Sequence, residues 1–126
     1  MRNVVVCIPN ALLAGGIELY LKKNSDFRIC REESPAAVVG LCVQIPADVL
    51  LVEVRERSPH TIDEWNQRVK TIKEQYPDCK AVYVVDENGA PDLADRVTLA
   101  RSDRLIDAFL FGTVSGEYLA AVVDSL

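Results

Sequence analysis

The chain has 126 residues, 49% of them hydrophobic, which is enough to bury one core but not several. Its 14 basic and 19 acidic residues leave a net charge of −5, and this balance argues against nucleic acid or an anionic membrane as the main partner. No apolar run approaches the roughly 18 residues needed to cross a bilayer, and the N-terminal run is too short for a signal peptide. We therefore expect one cytoplasmic domain over residues 1–126.

The first part of the chain alternates strand-like and helix-like patterns. The β-branched run 4–8 predicts a central strand, and apolar residues then recur at helical spacing over residues 11–23. Gly15 and Gly16 interrupt this helix, and we interpret them as positions where the helix packs closely on the sheet. Phe27–Arg31 alternates polar and apolar residues, which predicts an edge strand with one wet face.

Two further helices flank the third predicted strand. Ser34 followed by Pro35 predicts the start of one helix. Residues 49–53 form an apolar run that ends on Glu53, as expected of a strand buried on both faces in the middle of a parallel sheet. The next helix begins with a capping box at residues 61–64. Its apolar stripe, at three- and four-residue steps, consists of Ile62, Trp65, Val69, Ile72 and Tyr76.

The last part of the chain repeats the same unit. Residues 81–85 predict a fourth buried strand that precedes Asp86, Ala108–Phe111 predicts the fifth, and Ser115 can cap the last helix. The residues expected to face the core in the two helices of this part are Leu93, Val97, Ala100, Leu119, Val122, Val123 and Leu126. Repeated strand–helix units require right-handed crossovers. We therefore predict an α/β fold, a flavodoxin-like doubly wound (βα)5 domain with a five-stranded parallel sheet in order 2-1-3-4-5.

In such a sheet, the crevice at the carboxyl ends of the strands is the usual place for ligands and phosphate chemistry. Glu53, at the end of the third strand, is the central residue of this crevice. The other residues expected there are Ile8, Pro9, Asn10, Val54, Arg55, Asp86, Glu87, Gly112 and Thr113.

Four stretches of the sequence resemble a known family. They are residues 16–27, residues 46–55, residues 109–111 and the serine-capped segment 115–119. Their order and spacing resemble the receiver (CheY-like) domain of bacterial two-component response regulators, particularly those attached to LuxR/NarL-type DNA-binding domains. The resemblance covers essentially the whole chain, and it implies a role in phosphorelay signal transduction and transcription regulation.

The resemblance also indicates that the family's catalytic groups are replaced in this chain. The acidic pair that holds magnesium in the family corresponds to Ile8 and Pro9, and the phospho-accepting aspartate corresponds to Glu53. The family's threonine or serine corresponds to Asp86, and its lysine corresponds to Gly112. Most oxygen ligands for magnesium and the cation that neutralises a phosphoryl group are therefore missing. We expect no metal, no cofactor and no catalytic residue.

These replacements predict a degenerate receiver, or pseudo-receiver. As the phospho-acceptor equivalent, Glu53 would either imitate a phosphorylated aspartate and fix one conformation, or be a solvated carboxylate at the rim of a strand. Phe109 matches the family's switch aromatic. Its movement would lack the usual trigger, because residue 86 has no hydroxyl group. A second hypothesis concerns Glu53 and Asp86: with no lysine to offset them, one carboxylate would have a raised pKa or the two would bind a cation weakly.

Function is then expected in protein contacts rather than in chemistry. The resemblance implies association with a protein partner, or homodimerisation, through the face made by helix 4, strand 5 and helix 5. This domain would contact neither nucleic acid nor membrane. The residues expected on this face are Asp95, Arg96, Arg101, Asp103, Arg104 and Tyr118.

Two other classes of function stay open. Cys7 would be the phosphocysteine of a phosphotransferase IIB-like carrier, although residues 8–12 lack the glycines and hydroxyls that such a loop needs. A flavodoxin-like small-ligand binder is the other class, although no glycine- or hydroxyl-rich phosphate loop follows any predicted strand. The four cysteines are far apart in the sequence, so we expect reduced, mostly buried thiols that pack as small hydrophobes.

Overall fold

The computed structural model describes residues 2–23, 26–85, 92–112 and 115–126. Across these residues, strands and helices alternate along the chain. The strands are β1 (Arg2–Cys7), β2 (Phe27–Arg31), β3 (Val49–Val54), β4 (Lys80–Val85) and β5 (Ala108–Phe111). The helices are α1 (Ala11–Lys22), α2 (Pro35–Gln44), α3 (Ile62–Gln75), α4 (Leu93–Ser102) and α5 (Gly116–Ser125). Within the described ranges, no helix is long and apolar enough to cross a membrane.

The strands are parallel and hydrogen-bonded in the order β2-β1-β3-β4-β5, which confirms the predicted flavodoxin-like topology. Strands β2 and β5 form the edges of the described sheet. In β2, Phe27 is buried, Ile29 and Cys30 are half-buried, and Arg28 and Arg31 are exposed, so exposure does not strictly alternate along the strand as predicted. The register aligns Cys7 with Val52 and Val54 with Val85. The carboxyl ends of β1, β3 and β4 therefore finish at one edge of the sheet, which we call the carboxyl edge.

Two hydrophobic layers cover the sheet, one on each face. In β3, Val49 and Leu51 belong to the layer under α1 and α5, whereas Leu50 and Val52 belong to the layer under α2, α3 and α4. All four side chains are at most 1% exposed. Because successive side chains of a strand point to opposite faces, a strand covered on both sides must be apolar at every position. This requirement accounts for the continuous apolar run that precedes Glu53.

The helical stripes inferred from spacing are largely confirmed. Fully buried are Val38 and Cys42 in α2, Ile62, Trp65, Val69 and Ile72 in α3, Leu93, Val97 and Ala100 in α4, and Leu119 and Val123 in α5. Half-buried residues at the margins of the two layers are Leu41, Ile45, Tyr76, Val122 and Leu126.

The predicted N-termini of α2 and α3 differ in how they are capped, whereas Ser115 caps α5 as predicted, accepting from the Tyr118 N–H at 3.1 Å. Thr61 and Glu64 form the complete capping box: Thr61 Oγ1 accepts from the Glu64 N–H at 3.3 Å, and Glu64 Oε1 accepts from the Thr61 N–H at 3.4 Å. Hydrogen bonds from the hydroxyls of Thr61 and Ser58 lower the pKa of Glu64. Ser34 occupies the N-cap position of α2, but its side chain makes no capping hydrogen bond. Instead, its backbone N–H donates to Glu32 Oε1 at 3.0 Å.

The interpretation of Gly15 and Gly16 as close-packing positions is wrong. A Cβ atom added at either glycine would meet no atom within 4 Å outside its own helix. The close approach lies at Gly116, where an added Cβ would be 2.8 Å from Cδ2 of Tyr20. Gly116 therefore lets the start of α5 pack against α1, a contact between helices that are distant in sequence.

Replacing Thr61 with alanine should lower the free energy of unfolding by about 1 kcal/mol, because N–H groups in the first turn of α3 lose their acceptor. Replacing Ser34 with alanine is the matched control, and it should cost clearly less because that hydroxyl caps nothing. Urea titration followed by circular dichroism measures both changes. Equal losses in the two variants would contradict the difference in capping.

Candidate functional site

The segment after β1 lies against the end of β3. Ile8 is buried, and Pro9 and Asn10 are exposed. Asn10 caps α1, because its Oδ1 accepts from the Leu13 N–H at 3.2 Å. The backbone N–H of Asn10 also donates to Glu53 Oε1 at 3.4 Å. The structure therefore brings two of the residues predicted for the crevice into direct contact at the carboxyl edge.

Glu53 is held by a cation from the residue directly after its own strand. β3 continues one residue further than predicted, to Val54, and the Glu53 side chain is only 15% exposed between buried Val52 and Val54. Its Oε2 accepts from Arg55 Nε at 3.0 Å. Arg55 thus supplies a positive charge beside Glu53, although position 112, which corresponds to the family's lysine, is a glycine.

The sequence predicts Arg55 in the crevice but does not pair it with Glu53. The signal that identifies its partner is the two-residue period of a strand, which places residues 53 and 55 on one face. The Arg55 side chain is 45% exposed, so solvent screens the ion pair and its contribution to stability is about 0–1 kcal/mol. The contact therefore matters for the charge balance of Glu53 more than for the stability of the fold.

Gly112 lies at the carboxyl edge but on the far side of β4 from Glu53. Its N–H donates to the carbonyl of Val85 at 2.8 Å, which fixes it beside the end of β4. It is exposed and carries no side chain that could contact an anion. The described residues do not include Asp86, Glu87 or Thr113. The hypothesis that Asp86 and Glu53 form a carboxylate pair therefore stays a prediction.

The described residues at this edge do not fit a magnesium ion. Magnesium requires near-octahedral oxygen ligation, which in proteins comes from carboxylates, carbonyls and water. At the two positions after β1 the chain offers an aliphatic side chain, Ile8, and the proline ring of Pro9. Both oxygens of Glu53 already accept hydrogen bonds. Among the described residues, no group of three or more His, Cys, Asp or Glu side chains could hold a metal.

A pocket of about 270 Å³ opens beside the carboxyl edge, between the segment after β3 and the start of α4. Ile62 and Leu93 provide its apolar surface, and Asp63 on α3 binds Arg96 on α4 through an ion pair. The remaining lining residues are Arg55, Glu56, Thr61 and Asp92. Because Glu53 is not among them, the pocket and the Glu53 carboxylate are neighbouring but separate features.

The residues predicted for the face of α4, β5 and α5 lie mostly at the surface. Asp95, Arg101, Asp103 and Arg104 are exposed, and Tyr118 is 56% exposed. Arg96 differs from the others, because its ion pair with Asp63 directs it toward α3. On the edge strand β5, the half-buried rings of Phe109 and Phe111 meet edge to face with centroids 6.3 Å apart.

Cys7 and His60 lie in surroundings that suit packing rather than catalysis. Cys7 is 0% exposed, and burial raises the pKa of its thiol to about 11, so it is a poor nucleophile at neutral pH. The ring of His60 lies 6.4 Å from that of Trp65, and burial together with the nearby Arg55 lowers its pKa. His60 Nδ1 is buried without a hydrogen-bond partner among the described residues.

No protein-family model matches the chain, and no curated protein matches it. Solved structures do match. One is described as a family of redox sensors in the streptococci that evolved from two-component response regulators, with a TM-score of 0.80 at 15% identity. The match covers 99% of this chain but 50% of that one, so this chain spans half the length of the streptococcal protein.

Two further structures match over nearly their whole length. A DNA-binding response regulator of the LuxR family from Staphylococcus aureus has a TM-score of 0.76 at 13% identity, covering 99% of this chain and 98% of that one. An orphan response regulator of H. pylori has a TM-score of 0.76 at 19% identity, covering 98% of this chain and 94% of that one. The chain therefore has the fold of response-regulator receiver domains, as the sequence resemblance implied.

Titration with magnesium chloride, followed by amide NMR spectra, should leave the signals of Asn10, Glu53 and Arg55 unchanged beyond a general salt effect. The physical reason is the incomplete ligand set around a carboxylate that is already neutralised by arginine. The Glu53→Gln variant is the control for non-specific salt effects. Saturable shifts in the wild type that vanish in this variant would contradict the expectation.

Proposed function

We propose that this chain is the receiver-like signal-transduction domain of a response regulator, and that it acts through protein association without being phosphorylated. It has the receiver fold, which it shares with regulators such as the LuxR-family protein of Staphylococcus aureus. The single observation that carries the proposal is the state of Glu53 at the phospho-acceptor position. Its carboxylate forms an ion pair with Arg55, with Arg55 Nε 3.0 Å from Glu53 Oε2.

Phosphoryl transfer to a carboxylate depends on charge neutralisation around the transferred group. Receivers of the resembled family use magnesium and a lysine, and neither fits here, because Ile8 and Pro9 offer no oxygen side chains and Gly112 offers no cation. The net charge of the chain is negative, so it does not attract an anionic phosphodonor. We infer that Glu53 is not a phosphoryl acceptor and that the domain is not an enzyme.

Of the two interpretations of Glu53, the contacts favour a fixed conformation over a carboxylate left free in solvent. A solvated remnant would be exposed, whereas this side chain is 85% covered and joins two segments of the chain. Through Oε1 it contacts the segment after β1, and through Oε2 it contacts the segment after β3. Glu53 would thereby keep the carboxyl edge in one arrangement that a kinase does not change.

The association surface that we propose is the face of α4, β5 and α5, with a second copy of the chain as the partner. β5 is an edge strand of the described sheet, and such edges associate unless they are covered or charged. Tyr118 on α5 exposes a large aromatic side chain, and the end of α4 with the turn after it exposes charged residues of both signs, Arg101, Asp103 and Arg104. Exposed aromatic side chains and arginines are enriched at protein interfaces.

The two alternative classes receive less support. A phosphocysteine carrier needs a reactive thiolate, and Cys7 is buried with a raised pKa. A small-ligand binder would use the pocket beside α4, but its two arginines already contact carboxylates, Arg55 with Glu53 and Arg96 with Asp63. DNA binding and control of transcription, if the chain serves them, would belong to other parts of a longer protein.

Incubation with acetyl phosphate and magnesium should leave the intact mass of the protein unchanged. The Glu53→Asp variant should also stay unmodified, because restoring the aspartate does not restore the magnesium ligands or the lysine. Mass spectrometry at neutral pH measures both. A phosphoryl adduct on the wild type would refute phosphorylation-independent action, and an adduct on the variant alone would show that residue 53 by itself blocks the reaction.

Sedimentation equilibrium should show a monomer–dimer equilibrium that Tyr118→Glu weakens at least about tenfold, because a charge replaces an aromatic side chain in the interface. Leu12→Glu is the matched control: Leu12 is 90% exposed on α1, outside the proposed face, and its replacement should leave the equilibrium unchanged. A monomer at all concentrations, or equal effects of both variants, would contradict the dimer.

A further inference from the structure

The single histidine of the chain, His60, lies against the single tryptophan, Trp65. The centroids of the two rings are 6.4 Å apart, and their planes are tilted by 45°. Trp65 is 0% exposed on α3, whereas His60, in the segment after β3, is half-buried. Neither ring takes part in the proposed function.

Residues 55–60, which we call the clasp segment, fold back on themselves. The Arg55 N–H donates to the carbonyl of His60 at 2.7 Å, and the His60 N–H donates to the carbonyl of Arg57 at 2.9 Å. All other residues of the clasp segment are exposed, so the half-buried ring of His60 anchors it. The position of this ring is therefore linked to the backbone of Arg55, whose side chain pairs with Glu53 at the carboxyl edge.

Hydrogen bonds and the ring contact join the clasp segment to α3. Arg68 Nη1 donates to the carbonyl of Pro59 at 2.7 Å, and Ser58 Oγ donates to Glu64 Oε2 at 2.8 Å. The guanidinium group of Arg68 also lies over the Trp65 ring, with its Cζ 4.7 Å from the centroid. The indole therefore already contacts one fixed cation, which would repel a positive charge on the neighbouring imidazole.

One nitrogen of the His60 ring, Nδ1, is buried and makes no hydrogen bond with the described residues. A neutral imidazole tolerates such a place, because one of its two nitrogens carries no proton. An imidazolium carries a proton on both nitrogens, and a buried charged donor without an acceptor is unfavourable. Burial therefore opposes protonation of the ring as long as the clasp segment stays in contact with α3.

The charged groups near His60 lie in its own segment, on β3 and on α3. The guanidinium groups of Arg55 and Arg68 oppose a positive charge on the ring. The carboxylates of Glu53 and Glu64 favour one. Because two charges of each sign offset each other in part, burial is the largest cause, and together with the two arginines it lowers the pKa of His60.

We propose that the clasp segment is a proton-sensitive switch: when His60 takes up a proton, its ring leaves Trp65 and the clasp segment separates from α3. Since the Arg55 N–H donates to the carbonyl of His60, this movement also displaces Arg55 and loosens its ion pair with Glu53. The carboxyl edge then responds to acid. The inference goes beyond the proposed function and stands without it, because it needs neither a partner nor a phosphoryl group.

The direction of the pH dependence follows from the burial of the ring. In the open segment the ring is solvated and titrates near its ordinary pKa of 6.5, whereas in the closed segment its pKa is lower. As the pH falls through 6.5, the open form therefore binds more protons than the closed form and becomes more populated. The closed form keeps its full advantage above this pH and loses it progressively down to the lowered pKa.

The test is a titration of the wild-type chain from about pH 8 to about pH 4, a range that contains the ordinary pKa of histidine. The NMR signal of the His60 Cε1 proton needs no assignment, because the chain has no other histidine. We expect its midpoint below 6.5. Quenching of Trp65 emission by acrylamide should increase with the same midpoint, because the indole loses the ring that covers it. Over the same range, the exchange rate of the Arg55 Nε–H should approach that of Arg57.

His60→Gln is the matched variant, because glutamine is polar but does not titrate. Its acrylamide quenching should lack the transition, and any change that remains belongs to carboxylates. A His60 midpoint at or above 6.5, quenching of Trp65 that does not follow this midpoint, an Arg55 exchange rate that stays apart from that of Arg57, or the same transition in the variant would each overturn the proposal. If the variant fails to fold, the wild-type titration alone decides the question.

Discussion

The charge of one carboxylate determines what the carboxyl edge of this sheet can do. Glu53 lies near the end of the buried strand β3, where a bare negative charge would be unfavourable, and Arg55, the first residue after β3, pairs with it. In receivers of the resembled family, a metal ion and a lysine would serve that purpose. Here the positive charge comes from the chain itself, two residues beyond Glu53.

At the carboxyl edge, Glu53 ties the segments after β1 and β3 together. Its Oε1 accepts from the Asn10 N–H and its Oε2 accepts from Arg55 Nε.

The elements that could be predicted from the sequence are those set by local patterns. The capping box at Thr61 and the continuous apolar run of β3 each depend on neighbouring residues, and both are present. The misinterpreted features depend on contacts between distant segments. Gly116 rather than Gly16 allows close helix packing because Tyr20 lies opposite it, and Ser34 makes no cap although its residue type favours one. Arg55 was placed at the right edge, but its partner depends on a side-chain conformation that spacing alone does not fix.

The most direct test of this account is the Nε–H signal of Arg55 in nitrogen-15 NMR spectra, measured together with its rate of hydrogen exchange with water. The account predicts that this proton exchanges more slowly than that of Arg57, an exposed arginine of the same segment, and that Glu53→Gln brings the two rates together. Equal rates for Arg55 and Arg57 in the wild type would contradict the central claim, because the Arg55 Nε–H would then not be held by Glu53.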